Sequence, residues 1–257
     1  MKLAFAEYGE GPPLVILHGL FGSGRNWAGI AKKLAANWRV LTVDLRNHGL
    51  SPWDADMNYP VMAEDVLALI EAEGLERPVL LGHSMGGKTA MVAALTDPDA
   101  IGALIVADIA PVSYGHSHEP YVAALQAIDL GAVKRRGDAD EALRDAVSEA
   151  GLRGFLLHNL IFEDKGPRWR LNLDAIDRNM EALTDFPDRP AGIPYTGPSL
   201  FVVGADSDYV RPDHHATIRR LFPKASILLI AGAGHWLHAE KPAEFLELVS
   251  GFLTGLD

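Results

Sequence analysis

The 257-residue sequence contains no cysteine. That single absence removes disulfides, thiolate catalysis and Cys-ligated zinc, while leaving the redox compartment open. Basic residues are also in deficit. Lys and Arg number 23 against 34 Asp and Glu, a formal net charge of −11, which is the wrong sign for a protein whose main partner is nucleic acid or an anionic membrane. No apolar run reaches membrane-spanning length, and Glu7, Gly9 and Glu10 interrupt the early stretch where a secretory signal needs an apolar centre. The expected partner is therefore a small molecule, the expected location cytoplasmic, with no nucleic acid and no membrane involved. Internal repeats and low-complexity tracts are absent as well. The length suits one α/β domain carrying an insertion.

What is present is organised around PVLLGHSMGG, residues 78–87. Apolar Val79 to Leu81 reads as a buried strand, and KTAMVAAL after the motif reads as a helix. A strand that turns straight into a helix brings backbones close together, so small residues are needed two before and two after the turning residue. Gly82 and Gly86 stand in those places. The turn lifts the Ser84 hydroxyl above the sheet and puts the Met85 N–H in the first helical turn, where amides lack partners and the dipole favours an anion.

The rest of the chain alternates strand and helix. LVIL at 14–17 is continuous and apolar, as in a strand buried on both faces. It ends in His18-Gly19-Leu20-Phe21-Gly22, at the carboxyl edge of the sheet where open α/β sheets bind ligands, so the Leu20 N–H is the candidate second oxyanion donor. RVLTVD (39–44), IGALIVA (101–107), 199–204 and 226–230 read as further strands; 23–37, 59–73 and 242–253 read as helices. Asp44 and Arg46 are expected to brace their loop as a pair, with His48 a possible pocket residue. Between Val112 and about Pro190 the strand rhythm stops, and three helical patterns with acidic starts follow. The expected domains are a core of 1–111 and 191–257 and a helical lid, 112–190. Its basic clusters, Lys134-Arg135-Arg136 and Lys165 with Arg168 and Arg170, read as solvated faces.

Serine at its free pKa is a weak nucleophile and needs a base held in one tautomer by a carboxylate. His235, in the Gly-rich loop after the last strand, has the right place in the order serine, acid, histidine; His238 is its nearest competitor. His214-His215 and His116 with His118 lack metal-site spacing, and no metal is expected. For the acid, three aspartates are open: Asp108 at a strand end, and Asp206 and Asp208 after a later strand. Either of the latter needs a local bulge, because neighbouring strand residues point to opposite faces.

With HGLFGSGRNW, DLRNHGLS, GHSMGGKTAM, DIAPV and GHWLHAEKP in that order, the sequence resembles the α/β hydrolases over nearly its whole length, and within them the small YbfF-like esterases and their abhydrolase relatives. The resemblance implies a mostly parallel sheet of about eight strands, a short helical lid, and cofactor-free hydrolysis of acyl esters or thioesters. It implies Ser84 as nucleophile, His235 as base, and Leu20 and Met85 as oxyanion donors. The commonest acid position of the fold holds Ser207 here, and the YbfF-like group resembles this chain in having a non-acid there and an aspartate corresponding to Asp108. Phe21, His83 and Trp236, with Leu20 and Met85, are expected at the substrate pocket. A serine at the nucleophile place argues against dehalogenase or epoxide-hydrolase chemistry; perhydrolase, carbon–carbon hydrolase and a ligand receptor without turnover remain as alternatives. Acyl length, leaving group and oligomeric state are not fixed by the sequence.

Overall fold

The computed structural model describes residues 1–115, 118–187 and 193–256; His116 and the expected boundary at 190/191 lie outside the described residues. In chain order the elements are β1 (Ala4–Tyr8), β2 (Pro13–Leu17), α1 (Ala28–Leu34), β3 (Arg39–Asp44), α2 (Tyr59–Ala72), β4 (Val79–His83), α3 (Met85–Thr96) and β5 (Ala103–Ala107). Then come α4 (Glu119–Gln126), α5 (Arg136–Leu143), α6 (Ala150–Leu157), β6 (Leu160–Glu163), β7 (Gly166–Trp169), α7 (Leu173–Arg178) and α8 (Met180–Thr184). The chain finishes with β8 (Ser199–Gly204), α9 (His215–Leu221), β9 (Ala225–Ile230), α10 (Leu237–Glu240) and α11 (Pro242–Thr254).

Continuous apolar strands imply a sheet covered on both sides, and the packing shows it. In β2, β4 and β5, Val15, Leu17, Leu80, Leu104 and Val106 join one core with α2 and α3, while Leu14, Ile16, Val79, Leu81 and Ile105 join a second core with α1 and α11. The sheet order is β1-β3-β2-β4-β5-β8-β9, parallel except for β1. Among the described residues it has seven strands, against the about eight that the resemblance implies. A single antiparallel strand, β1, precedes β2, and the only other strand pair among the described residues, β6-β7, forms its own two-stranded sheet.

That hairpin corrects the all-helical expectation for 112–190. Its strands have four residues each, too short to reveal alternation. The helical patterns expected there do form, as α4, α5 and the α7–α8 pair, and α6 adds a fourth. Three of the six basic side chains in these clusters have partners: Arg168 pairs with Glu163 at 2.7 Å, Arg135 with Asp138 at 3.1 Å, and Arg136 donates to the Leu160 carbonyl at 2.7 Å.

Asp44 and Arg46 both brace their loop, but not through each other. The Asp44 carboxylate accepts from the Gly24 and Leu50 amides at 2.7 and 2.8 Å. Arg46 donates to Asp65 at 2.6 Å and to the Asp56 carbonyl at 2.7 Å. Asp44 ends β3 facing one side of the sheet, and two residues on the chain has already left the strand, so the two side chains serve different neighbours.

Candidate active site

Between β4 and α3 the chain reverses through Ser84, at φ 52° and ψ −119°, a left-handed region costly for a residue with a Cβ. The surroundings hold it there. The Ser84 amide donates to the Ala107 carbonyl at 3.1 Å, and its carbonyl accepts the Lys88 amide at 3.0 Å. A Cβ on Gly82 would stand 2.2 Å from the Gly86 carbonyl oxygen, and one on Gly86 would stand 2.4 Å from that of Leu17. The spacing of small residues read from the sequence is therefore a packing requirement.

Asp108 follows the neighbouring strand β5, also at positive φ (51°), which aspartate tolerates better than most residues. It is fully buried. Its Oδ1 accepts the Gly204 amide at 2.9 Å, and its Oδ2 accepts both the Ser207 hydroxyl and His235 Nδ1, the latter at 2.8 Å. Burial pushes the Asp108 carboxyl up to about 6, against the hydrogen bonds from Ser207 and Gly204 that pull it down. Ser207 occupies the place where the fold most often carries its acid; here its hydroxyl serves the acid that arrives from β5. Asp206 and Asp208, on either side, are exposed at the rim of the cavity.

With Nδ1–H donated to Asp108, the basic nitrogen of the neutral His235 ring is Nε2. The ring stacks on Tyr209, centroids 3.8 Å apart and planes at 18°, and the His235 carbonyl accepts from His83 Nε2 at 2.8 Å. Tyr209 and His83 thus fix the loop from two sides. Burial drives the His83 imidazole down to about 3, with the neighbouring His235 adding to it, so His83 is a neutral strut at working pH.

The Leu20 amide lies in a turn closed by the Gly22 amide on the Gly19 carbonyl at 2.9 Å, with Phe21 at φ 62°. His48 donates from Nδ1 to the Arg46 carbonyl at 2.9 Å and accepts the Phe21 amide on Nε2 at 3.3 Å. It supports this turn from behind and is not among the residues lining the large cavity. His18 does the same one step earlier, donating to the Gly19 carbonyl at 2.8 Å and accepting the Leu45 amide at 3.0 Å. Burial holds both well below the usual histidine range, at about 4 for His18 and about 3 for His48. The insertion reaches the same turn: Asn159 donates to the Phe21 carbonyl at 2.7 Å. None of these supports carries a sequence signature of its own.

Two cavities meet at Ser84. The larger, about 520 Å³, is lined by Ser84, His235, Phe21, His83 and Trp236, with Leu152 and Phe155 of α6 and Tyr121 of α4 closing its insertion side. The smaller, about 30 Å³, is lined by Ser84, Leu20, Met85, Tyr59, Ile109 and Leu183 among others. His118 borders both. His238, the competing base, stacks face to face on Trp27 at 4.2 Å, and burial drives it well below the usual histidine range. Among the described residues no cluster of three His, Cys, Asp or Glu could hold a metal.

The arrangement provides a strained serine at a helix start, an imidazole oriented by a carboxylate, and amides at Leu20 and Met85. It can carry out acyl transfer. Comparison with known proteins agrees on the fold. The sequence model of the α/β hydrolase fold matches residues 12–242. The chain is 44% identical over 251 residues to the mouse (Mus musculus) sn-1-specific diacylglycerol lipase ABHD11, covering 95% of this chain and 81% of the relative. It is 36% identical over 243 residues to esterase YbfF of Escherichia coli (strain K12), covering 94% and 93%. Among solved structures, a marine microorganism esterase superposes with a TM-score of 0.95 at 41% identity, covering 98% of this chain and 99% of that one.

Proposed function

Because the chain belongs to the α/β hydrolase fold family, we propose that it hydrolyses carboxylic esters or acyl thioesters through an acyl-enzyme on Ser84. The observation that carries this reading is the 2.8 Å hydrogen bond from His235 Nδ1 to the buried Asp108 carboxylate, beside a cavity that Ser84 and His235 both line. Ser84 Oγ attacks the substrate carbonyl carbon as His235 Nε2 takes its proton. The tetrahedral oxyanion forms against the Leu20 and Met85 amides, which are fixed before the reaction and cost no reorganisation. Collapse breaks the bond to the alcohol or thiol, and His235 returns the proton to that leaving atom. Water, deprotonated by the same nitrogen, then attacks the acyl-enzyme and releases the carboxylic acid.

In this reading Asp108 holds the imidazole in the productive tautomer and stabilises the imidazolium that forms. The segment 112–190 serves as a lid: α4 and α6 wall the large cavity, and Asn159 ties the segment to the oxyanion turn. No step requires a cofactor or a metal. The test is a fluorophosphonate, which reports an activated serine directly. One adduct on Ser84, lost in Ser84→Ala together with hydrolysis of nitrophenyl esters, is the expected result; a label elsewhere, or a Ser84→Ala variant as fast as the parent, refutes the reading.

A further inference from the structure

The two cavities do different work if Ser84 is the nucleophile, and this inference rests on that reading. A tetrahedral intermediate on Ser84 points its oxyanion at the Leu20 and Met85 amides. Its leaving atom must lie within hydrogen-bond reach of His235 to receive the proton. His235 lines the large cavity and is not among the described residues lining the small one. The alcohol or thiol is therefore directed into the large cavity. The acyl substituent, on the remaining bond of the same carbon, needs a second space beside Ser84, and the small cavity supplies it, bounded by Met85 and, like the large one, by Leu20 and Tyr209.

We propose that the small cavity is the acyl subsite, that it accepts short acyl chains, and that the large cavity takes a bulkier leaving group. Its size sets the limit. A water-sized group needs roughly 10–15 Å³ of such space, so about 30 Å³ accommodates on the order of two to three groups beyond the carbonyl carbon, the range of propionyl and butyryl. The end wall is rigid. Lys88, one turn along α3 from Ser84 and buried, donates from Nζ to the Thr184 and Asp185 carbonyls at 2.9 and 2.5 Å, while the Tyr59 hydroxyl donates to the Leu183 carbonyl at 2.6 Å. Three successive carbonyls at the end of α8 are thus pinned to the core, and a longer chain cannot enter by displacing them cheaply. Leu183, which lines this space, becomes the residue that sets acyl length.

The experiment is a series of nitrophenyl esters from acetate through butyrate and octanoate to decanoate, run on the parent, Leu183→Ala and Leu183→Phe, with fluorophosphonate labelling as the check that each variant holds an intact Ser84 site. A methylene in a fitted apolar pocket is worth about 10–200-fold. The parent should favour propionate or butyrate over octanoate by tenfold or more in kcat/KM. Leu183→Ala should narrow that ratio at least tenfold, and Leu183→Phe should move the optimum toward acetate. A parent that prefers octanoate or decanoate overturns the proposal on its own, as does an optimum that stays in place in both labelled variants. Failure of the parent to label or to hydrolyse any ester overturns instead the nucleophile assignment beneath it.

Discussion

Asp108 combines full burial with a positive φ, and the burial, which disfavours the ionised form, raises its proton affinity. The folded state binds its proton more tightly than the unfolded chain does. Its stabilising contribution is thus complete below the ordinary value of 3.8 and is lost as pH rises through about 6. Asp108→Asn removes this titration. The melting temperature of the variant relative to the parent should therefore rise between pH 4 and pH 7, while turnover at pH 7 falls by about 10⁴, the loss seen when a triad carboxylate becomes an amide that favours the wrong tautomer. Asp206→Asn and Asp208→Asn, at the exposed rim, should keep most activity. Melting curves and steady-state rates on the three variants check both halves. The preference for Asp108 rested on resemblance and on strand-edge geometry, since local sequence alone offered three aspartates. The hydrogen bond from Ser207 gives the departure from the common pattern a physical role.

At the scale of elements, the strand–turn–helix around Ser84 was legible because close backbone approach imposes a spacing of small residues that survives in sequence. Gly82→Ala tests it: with a Cβ at 2.2 Å from the Gly86 carbonyl oxygen, the variant should lose both fluorophosphonate labelling and at least several degrees of melting temperature. The hairpin β6–β7 was not legible, because four-residue strands carry too few alternations. Nor was the role of Lys88. A lysine in a helix ordinarily reads as solvated, and the one signal against that was its setting among the small and apolar residues of MGGKTAMVAAL. Asn159 shows how the insertion acts on the core through a single side chain. Asn159→Ala frees the Phe21 carbonyl and loosens the turn that presents the Leu20 amide. In the proposed mechanism that amide acts on the transition state, so kcat should drop about tenfold or more with KM little changed. Equal changes in both would point to substrate binding as the affected step.

Across the whole molecule, the sheet separates two apolar cores, while the strand ends bring Leu20, Ser84, Asp108 and the His235 loop to one edge. The mostly parallel order explains why Asp108 and His235, 127 positions apart, share a hydrogen bond. Parallel strands present their carboxyl ends together, and the segment after β5 leaves from that same edge. Motif order made the architecture legible, but the division of space around Ser84 depends on side chains from α2, α3 and α8 that no local pattern connects. The proposed mechanism requires a covalent acyl group at Ser84. The most direct measurement quenches the enzyme with acid during turnover of nitrophenyl butyrate and maps the peptides by mass spectrometry. A butyryl mass on the peptide containing Ser84, formed within the first turnover and absent from Ser84→Ala, is the predicted result. Steady hydrolysis with no acyl group on any peptide, or with the group on another residue, would contradict it.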